Sequence, residues 1–287
     1  MDELRTLSSG LLPLIVIVFM TANLASIGLE VDPSRIVAPL RDRNFVSLAL
    51  LWDWLLCPGI ALLLAAVVPM ARPYALGLEL IGLAPAAPFL PVMVRKAGGD
   101  LAYAAAFMLT AAVGTVILMP IVLPMLVPGV AVSTWTVARP LIAFVLAPLG
   151  VGLVIRTAAP TLGGKLAVLA RALARAATLV LLVMIVILYF EGFIGAIGSY
   201  AIGTQLLFTV AIAVGAYASG ARLEPEKRSV LCLGVCTRNL GAALAPVLAV
   251  SSDLRTTVMV ALGVPINLIV TFAMARWLAA RSPTKEP

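Results

Sequence analysis

Nine apolar runs, at about 11–29, 45–69, 73–97, 101–127, 137–156, 174–192, 198–219, 227–250 and 255–279, fill most of the chain, and Pro, Gly and charged residues separate them. Each is close to the ~20 residues an α-helix needs to cross a hydrocarbon core. The pattern predicts an all-α integral membrane protein with nine transmembrane helices and no separate soluble domain. The N-terminus reads Met1-Asp2-Glu3-Leu4-Arg5. It lacks the basic region of a signal peptide, so the first run, which contains Asn23, is expected to be retained as a span.

The runs repeat. A shift of 153 residues lays Asp100-Leu101 on Asp253-Leu254 and Pro85-Ala86 on Arg238-Asn239. It lays the runs at 45–69, 73–97 and 101–127 on those at 198–219, 227–250 and 255–279, and brings 11–29 near 164–182. The run at 137–156 has no earlier partner. The chain thus divides into a first repeat (1–127) of four helices, lacking its first, and a second (128–287) of five. Five spans, an odd number, lie within the offset, so the repeats face opposite ways. Inverted repeats are the mark of secondary transporters.

Two matching runs resist helix formation at their centres. The third contains Ala84-Pro85-Ala86-Ala87-Pro88-Phe89-Leu90-Pro91, in which three prolines each remove an N–H and clash with the preceding turn. Its partner contains Gly234-Val235-Cys236-Thr237-Arg238-Asn239-Leu240-Gly241. Broken backbone at membrane depth is tolerated only inside protein or beside water, and paired breaks point to a transport site. Pro85, Ala86, Ala87, Pro88, Thr237, Arg238 and Asn239 are therefore candidates for substrate binding.

Composition agrees with the membrane reading. The chain is 62% hydrophobic and 11% charged, with a mean hydropathy of +1.13, against roughly 25% charged residues in soluble domains. A net charge of +7 would suit nucleic acid, but the basic residues sit between the apolar runs and read as topology signals. One set of alternate segments (30–44, 95–100, 156–175, 220–228 and the C-terminal tail) holds fifteen Lys and Arg; the other set holds only Arg5, Arg72, Arg139 and Arg255. The positive-inside rule then places the C-terminus in the cytoplasm and the N-terminus outside the cell membrane.

Arg238 is the remaining basic residue. A mid-span arginine costs at least ~2.5–3.5 kcal/mol to insert and needs an interior partner. Asp53, about 12 Å into the second run at 1.5 Å per residue, and Glu79, in the first half of the third, are the candidates for an ion pair or a coupling role. Asn23, Thr110, Thr115, Gln205 and Asn267 are other polar residues in spans, each read as a helix–helix hydrogen bond. Cys57, Cys232 and Cys236 lie in apolar runs and read as small buried hydrophobes. The absence of histidine excludes His-based metal sites and acid–base chemistry. No paired-aspartate motif or Ser–Lys pair suggests an enzyme, and no cofactor is expected.

These segments resemble the bile acid:sodium symporter family over essentially the whole chain. The likeness rests on Gly28-Leu29-Glu30, on Asp53 ahead of Cys57-Pro58, on Ala84-Pro85 through Gly98-Gly99-Asp100, and on Thr237-Arg238-Asn239-Leu240-Gly241-Ala242-Ala243-Leu244-Ala245. The resemblance implies a panel domain (about 11–29, 137–156 and 174–192) packed on a core domain (about 45–127 and 198–279) whose two broken helices cross. It also places Asn267 near the substrate cavity. Family members bind sodium through a Glu and a Gln that read here as Gly234 and Arg238, a Ser-Asn that reads Leu90-Pro91, hydroxyls that read Ala104 and Met108, and a Gln that reads Asp53. Sodium coupling at those sites is therefore not expected. The Arg238 guanidinium, paired with Asp53, is expected where the cation would sit, leaving transport of a small organic anion proton-coupled or uncoupled. A transport-inactive membrane sensor or scaffold and an arsenite efflux carrier are the alternatives on the same fold.

Overall fold

The computed structural model describes residues 2–87, 89–126, 134–239, 241–244, 247, 251 and 253–281. Among them the chain is α-helical, with one isolated bridge between Pro85 and Arg238. The elements are α1 (Asp2–Glu30), α2 (Pro33–Arg41), α3 (Arg43–Val67), α4 (Arg72–Gly82), α5 (Leu90–Lys96), α6 (Leu101–Leu126), α7 (Thr134–Leu141 continuing into Ala147–Ala158), α8 (Pro160–Gly195), α9 (Ala201–Ser219), α10 (Pro225–Cys236) and α11 (Leu254–Ala279). Residues 241–244 are also helical. Among the described residues, seven helices are long and apolar enough to cross a membrane: α1 from Gly10, α3, α6, α7 from Ala138, α8, α9 and α11.

Burial is arranged for lipid. Leu55, Leu63, Val67, Ile117, Leu179 and Val183 are exposed, while Asp53, Glu79, Gln205, Arg238 and Asn267 are buried. In water that distribution would carry a large hydrophobic cost; in a bilayer it satisfies both classes of side chain.

Proline shapes two spans. In α3 a π-helical turn, Trp52–Leu56, closes with the Cys57 N–H donating to the Trp52 carbonyl, just ahead of Pro58. In α7 the turn Ile142–Leu146 closes with Ala147 N–H on Ile142, just ahead of Pro148. A proline ring cannot sit against the carbonyl four residues back, and the wider turn relieves the clash. The first of these turns presents Asp53 to the interior.

The basic segment 156–175, expected as a loop, is instead mostly the first half of α8, a 36-residue helix from Pro160. At 1.5 Å per residue that is about 54 Å, longer than a bilayer core. Past Gly163-Gly164 the sequence offers Ala, Leu and Arg, all strong helix formers, and nothing to stop it.

Helix α1 packs along α7 and α8; α4 packs between α3 and α11; α10 packs against α6, α9 and α11. At the α1–α7 crossing Gly28 and Gly152 bring the backbones together. A Cβ on Gly28 would fall 2.3 Å from the Leu149 carbonyl, and one on Gly152 2.8 Å from that of Ala25.

Asp42 ties three elements together. It caps α3 through Phe45 N–H (3.2 Å) and accepts from Tyr103 Oη (2.8 Å) of α6 and Lys227 Nζ (3.2 Å) of α10. Partial burial pushes its carboxyl up, but the Tyr103 hydroxyl, the Phe45 amide and Lys227 outweigh it and hold it below the usual carboxylate range. A depressed folded-state pKa adds stability at neutral pH that is lost as pH falls below about 4 and through the lowered value. Thermal unfolding should therefore move to lower temperature on acidification more steeply in the wild type than in Asp42→Asn. Equal slopes would remove this role.

Candidate functional site

Both interrupted runs break where their sequences disfavour a helix. α4 ends at Gly82, residues 84–87 are not helical, and α5 begins at Leu90. Ala86 adopts a φ of 50°, a left-handed conformation costly for a residue with a Cβ. Pro88 lies outside the described residues. On the other side α10 ends at Cys236, and Thr237 is extended. The two non-helical stretches meet in antiparallel fashion: Pro85 bridges Arg238, and the Asn239 N–H donates to the Ala84 carbonyl (2.8 Å).

Each stretch uses its own polar groups to end or start a helix. Thr237 Oγ1 donates to the Gly234 carbonyl (3.1 Å). The Asn239 carbonyl accepts from Ala243 N–H (3.0 Å), and its Oδ1 accepts from Ala242 N–H (3.1 Å). That is an N-cap for the helical residues that follow, so the expected ligand Asn239 has its side-chain acceptor occupied by backbone.

Arg238 is wholly buried at the crossing. Its Nη1 donates to Asp53 Oδ1 (3.3 Å) and to the Val235 carbonyl (3.5 Å), its Nε to the Ile81 carbonyl (3.1 Å), and its Nη2 to the Gly82 carbonyl. Asp53 is itself 3% exposed. The Gly82 carbonyl in the last turn of α4 and that of Val235 in the last turn of α10 would otherwise be orphaned, whereas the Ile81 carbonyl also accepts from the Ala84 N–H (3.2 Å). Two helix C-termini with partial negative charge and one carboxylate thus converge on a single point. Together they surround the guanidinium with negative charge. The expected Asp53–Arg238 pair is present in the geometry.

Where the resemblance places the other cation ligands, the surroundings are apolar. Leu90, Ala104 and Met108 are buried. A Cβ on Gly234 would fall 2.7 Å from the ring of Phe107, which occupies the space a longer side chain would need. Phe107 is held edge-on to Phe45, with ring centroids 6.3 Å apart.

Glu79 is not a partner of Arg238. It sits on α4 with its Oε1 bound to Arg72 Nη1, while its Oε2 has no hydrogen-bond partner. The spacing of seven residues, two helical turns, carries Glu79 back to the arginine at the helix start rather than to the crossing. Asn267 is buried in α11 with both amide atoms unpartnered. It lines a cavity of about 120 Å³ beside the crossing, shared with Ala87, Arg238 and Gly241. The structure thus gathers Ala87, Arg238 and Asn267 at one cavity.

The remaining polar span residues are mostly satisfied within their own helices. Thr110 and Thr115 donate to Ala106 and Ala111 carbonyls (2.8 Å each), and Asn23 to that of Phe19 (2.8 Å). Gln205 is buried with neither amide atom paired. Cys57, Cys232 and Cys236 are free thiols, all buried.

Along α8 beyond this cavity, a Cβ on Gly192 would fall 2.4 Å from Val258 of α11. In the other direction along the crevice beside α8, a larger cavity of about 380 Å³ lies between α1, α5 and α8. Residue types alone did not expose three features: the Ile81 and Gly82 carbonyls as partners of Arg238, the Phe107 ring against Gly234, and the arginines Arg95, Arg171 and Arg175 around the larger cavity. All three depend on backbone or on residues far apart in the chain.

The model of the family described as Sodium Bile acid symporter family matches residues 14–194, more than half of the chain. No curated protein matches it.

Proposed function

We infer that this chain, which belongs to the sodium bile acid symporter family, is a secondary carrier of a small organic anion that works by alternating access without drawing on sodium at the family's usual sites. The observation that carries the reading is the buried guanidinium of Arg238, held by Asp53 and two helix-end carbonyls where a coupling cation would bind. A tethered cation cannot be released on the far side of the membrane, so it cannot couple flux to a sodium gradient. The apolar packing around Gly234, Leu90, Ala104 and Met108 supports the same conclusion for the second cation position.

In this proposal α1, α7 and α8 form the panel, and α3–α6 with α9–α11 form the core. The seven continuous spans and the two broken runs together make nine. Two symmetric features support an inverted repeat. The bridged residues Pro85 and Arg238 are themselves 153 positions apart. Asp100 and Asp253, separated by the same offset, each accept from the backbone N–H two residues on, at 2.7 and 2.9 Å. With the basic segments in the cytoplasm, the crevice end near Arg95 and Arg171 faces inward.

The test is uptake into proteoliposomes of a panel comprising cholate and short-chain carboxylates. At least one anion should accumulate or exchange at a rate above protein-free vesicles. Absence of flux for every anion, with ligand-dependent thermal stabilisation intact, would mark the chain as a sensor instead.

A further inference from the structure

At the end of the proposed core that the basic segments assign to the cytoplasm, cations are stacked on aromatic rings. Lys96 Nζ, at the end of α5, lies 4.1 Å from the centroid of the Phe272 ring on α11. Arg276 Cζ, one turn further along α11, lies 5.9 Å from the same ring. Arg281 Cζ sits 4.0 Å over Trp277, and Arg228 Cζ of α10 sits 3.5 Å over Tyr217 of α9. Tyr217 and Trp277 meet edge to face, with centroids 4.8 Å apart and planes at 75°.

Stacking positions these cations without neutralising them, because an aromatic face attracts a cation through its quadrupole and carries no net charge. Lys96, Arg276 and Arg281 are exposed and have no ion pair or hydrogen bond among the described residues. Arg228 differs, since its Nε donates to the Tyr217 carbonyl (2.8 Å). Two carboxylates at this end, Asp42 and Glu224, are already bound to Lys227 at 3.2 and 3.3 Å. Phe272 and Trp277 are themselves exposed. Exposed rings with cations at the end of a span suit the membrane–water boundary, where the ring sits at headgroup level and the cation reaches the phosphates. On α11 Phe272 and Arg276 form one row and Trp277 and Arg281 another, about 140° further round the helix at 3.6 residues per turn. The strip between the rows is apolar and open to lipid, with Ile269 and Ala273 exposed on it.

We propose that this surface binds an anionic phospholipid of the cytoplasmic leaflet, its phosphate held by Lys96, Arg276 and Arg281 and an acyl chain laid along Ile269 and Ala273. The proposal goes beyond the carrier reading and does not depend on what is carried, because none of these residues lines either cavity of the crevice. The guanidinium fork binds a phosphate through paired N–H groups, and Lys96 adds a point charge. A free anion in water would meet the cations but gain nothing from the apolar strip. A second copy of the chain, packed face to face about a two-fold axis, would set the same uncompensated cations against one another. A lipid satisfies both the charges and the strip. Held by Lys96 and Arg276, it also ties α5, the second half of a broken run, to α11.

The test is native mass spectrometry of the full chain, released from detergent containing equal amounts of phosphatidylglycerol and phosphatidylcholine with the same acyl chains. The wild type should retain phosphatidylglycerol in preference to phosphatidylcholine. Lys96→Gln should weaken that retention about fivefold and Arg276→Gln/Arg281→Gln about 25-fold, at roughly fivefold per cation removed. Arg41→Gln/Lys165→Gln removes as much charge from exposed positions assigned to the same leaflet and should retain the lipid as the wild type does. In phosphatidylcholine nanodiscs, added phosphatidylglycerol should raise the melting temperature of the wild type and leave that of Arg276→Gln/Arg281→Gln unchanged. Equal retention of the two lipids by the wild type would overturn the proposal. So would equal losses in the two double variants, which would mark a general effect of basic charge. Wild-type dimers that disappear in Arg276→Gln/Arg281→Gln would also overturn it, and would make this face a contact between copies. Lys96→Gln, a single exposed change, reads the same site if the double variant does not fold.

Discussion

Replacing Arg238 by glutamine should destabilise the protein by about 3–5 kcal/mol, the cost of leaving one member of a buried ion pair uncompensated. The variant strands the Asp53 carboxylate at 3% exposure and leaves the Gly82 carbonyl without its guanidinium partner. Asp53→Asn should also be costly, because it leaves a buried guanidinium with carbonyl partners only. The double variant Asp53→Asn/Arg238→Gln removes both charges and should lose less than the sum of the two single changes, with a coupling on the order of 0.5–3 kcal/mol. Apparent melting temperatures of the four proteins in one detergent read this out. Additive losses would mean that the two side chains act independently, and the site would no longer be an ion pair in the energetic sense.

The second large effect is expected at Gly28. Valine there places a Cβ 2.3 Å from the Leu149 carbonyl, 3.0 Å from the Leu153 nitrogen and 3.1 Å from the Gly152 Cα. The neighbours are backbone atoms within a helix, so no rotamer change relieves the overlap. α1 must move off α7 and lose close packing that, in lipid, has no solvent-driven substitute. Overpacking typically costs about 1–3 kcal/mol, and a backbone-on-backbone clash belongs at the upper end. Gly59→Val, at a lipid-facing position with nothing within 4 Å of the added Cβ, should leave the melting temperature near that of the wild type. If the two valine variants melt together, the Gly28–Gly152 contact does not hold α1 against α7.

Much of the site could be read from sequence because its signals are local or rare. Prolines at 85, 88 and 91 mark a break whatever surrounds them, and a single arginine in a run of apolar residues demands a partner. Asp53 satisfied that demand because few other charges are available at that depth. Glu79 looked equally eligible, but only the helix geometry shows that it returns to Arg72. Asn239 looked like a ligand because it lies in one of the paired helix breaks; its side chain's capping bond to Ala242 depends on where the helix restarts. The extent of α8 was hidden by its composition, since Lys165, Arg171 and Arg175 read as a loop when charge is used to find topology, although nothing between them breaks a helix. The arginine-lined compartment could not be seen at all, because Arg95 and Arg175 meet only after α5 and α8 are placed against each other.

Those differences follow one physical division. Positions where the backbone cannot continue, or where a charge enters an apolar run, declare themselves singly. Positions whose meaning depends on a neighbour from another helix do not. The position at Gly234 is an instance: a glycine there is uninformative until Phe107 is found against it.

The central claim is that the Arg238 guanidinium occupies the position of a coupling cation. It is tested most directly by titrating sodium chloride against potassium chloride at constant ionic strength and following thermal unfolding of the wild type and of Arg238→Gln. The wild type should show no sodium-specific shift. The variant exposes the Asp53 carboxylate and the helix-end carbonyls to solution cations and should be stabilised by sodium in a saturable manner, following mass action. A wild-type melting temperature that rises with sodium and not with potassium would contradict the claim.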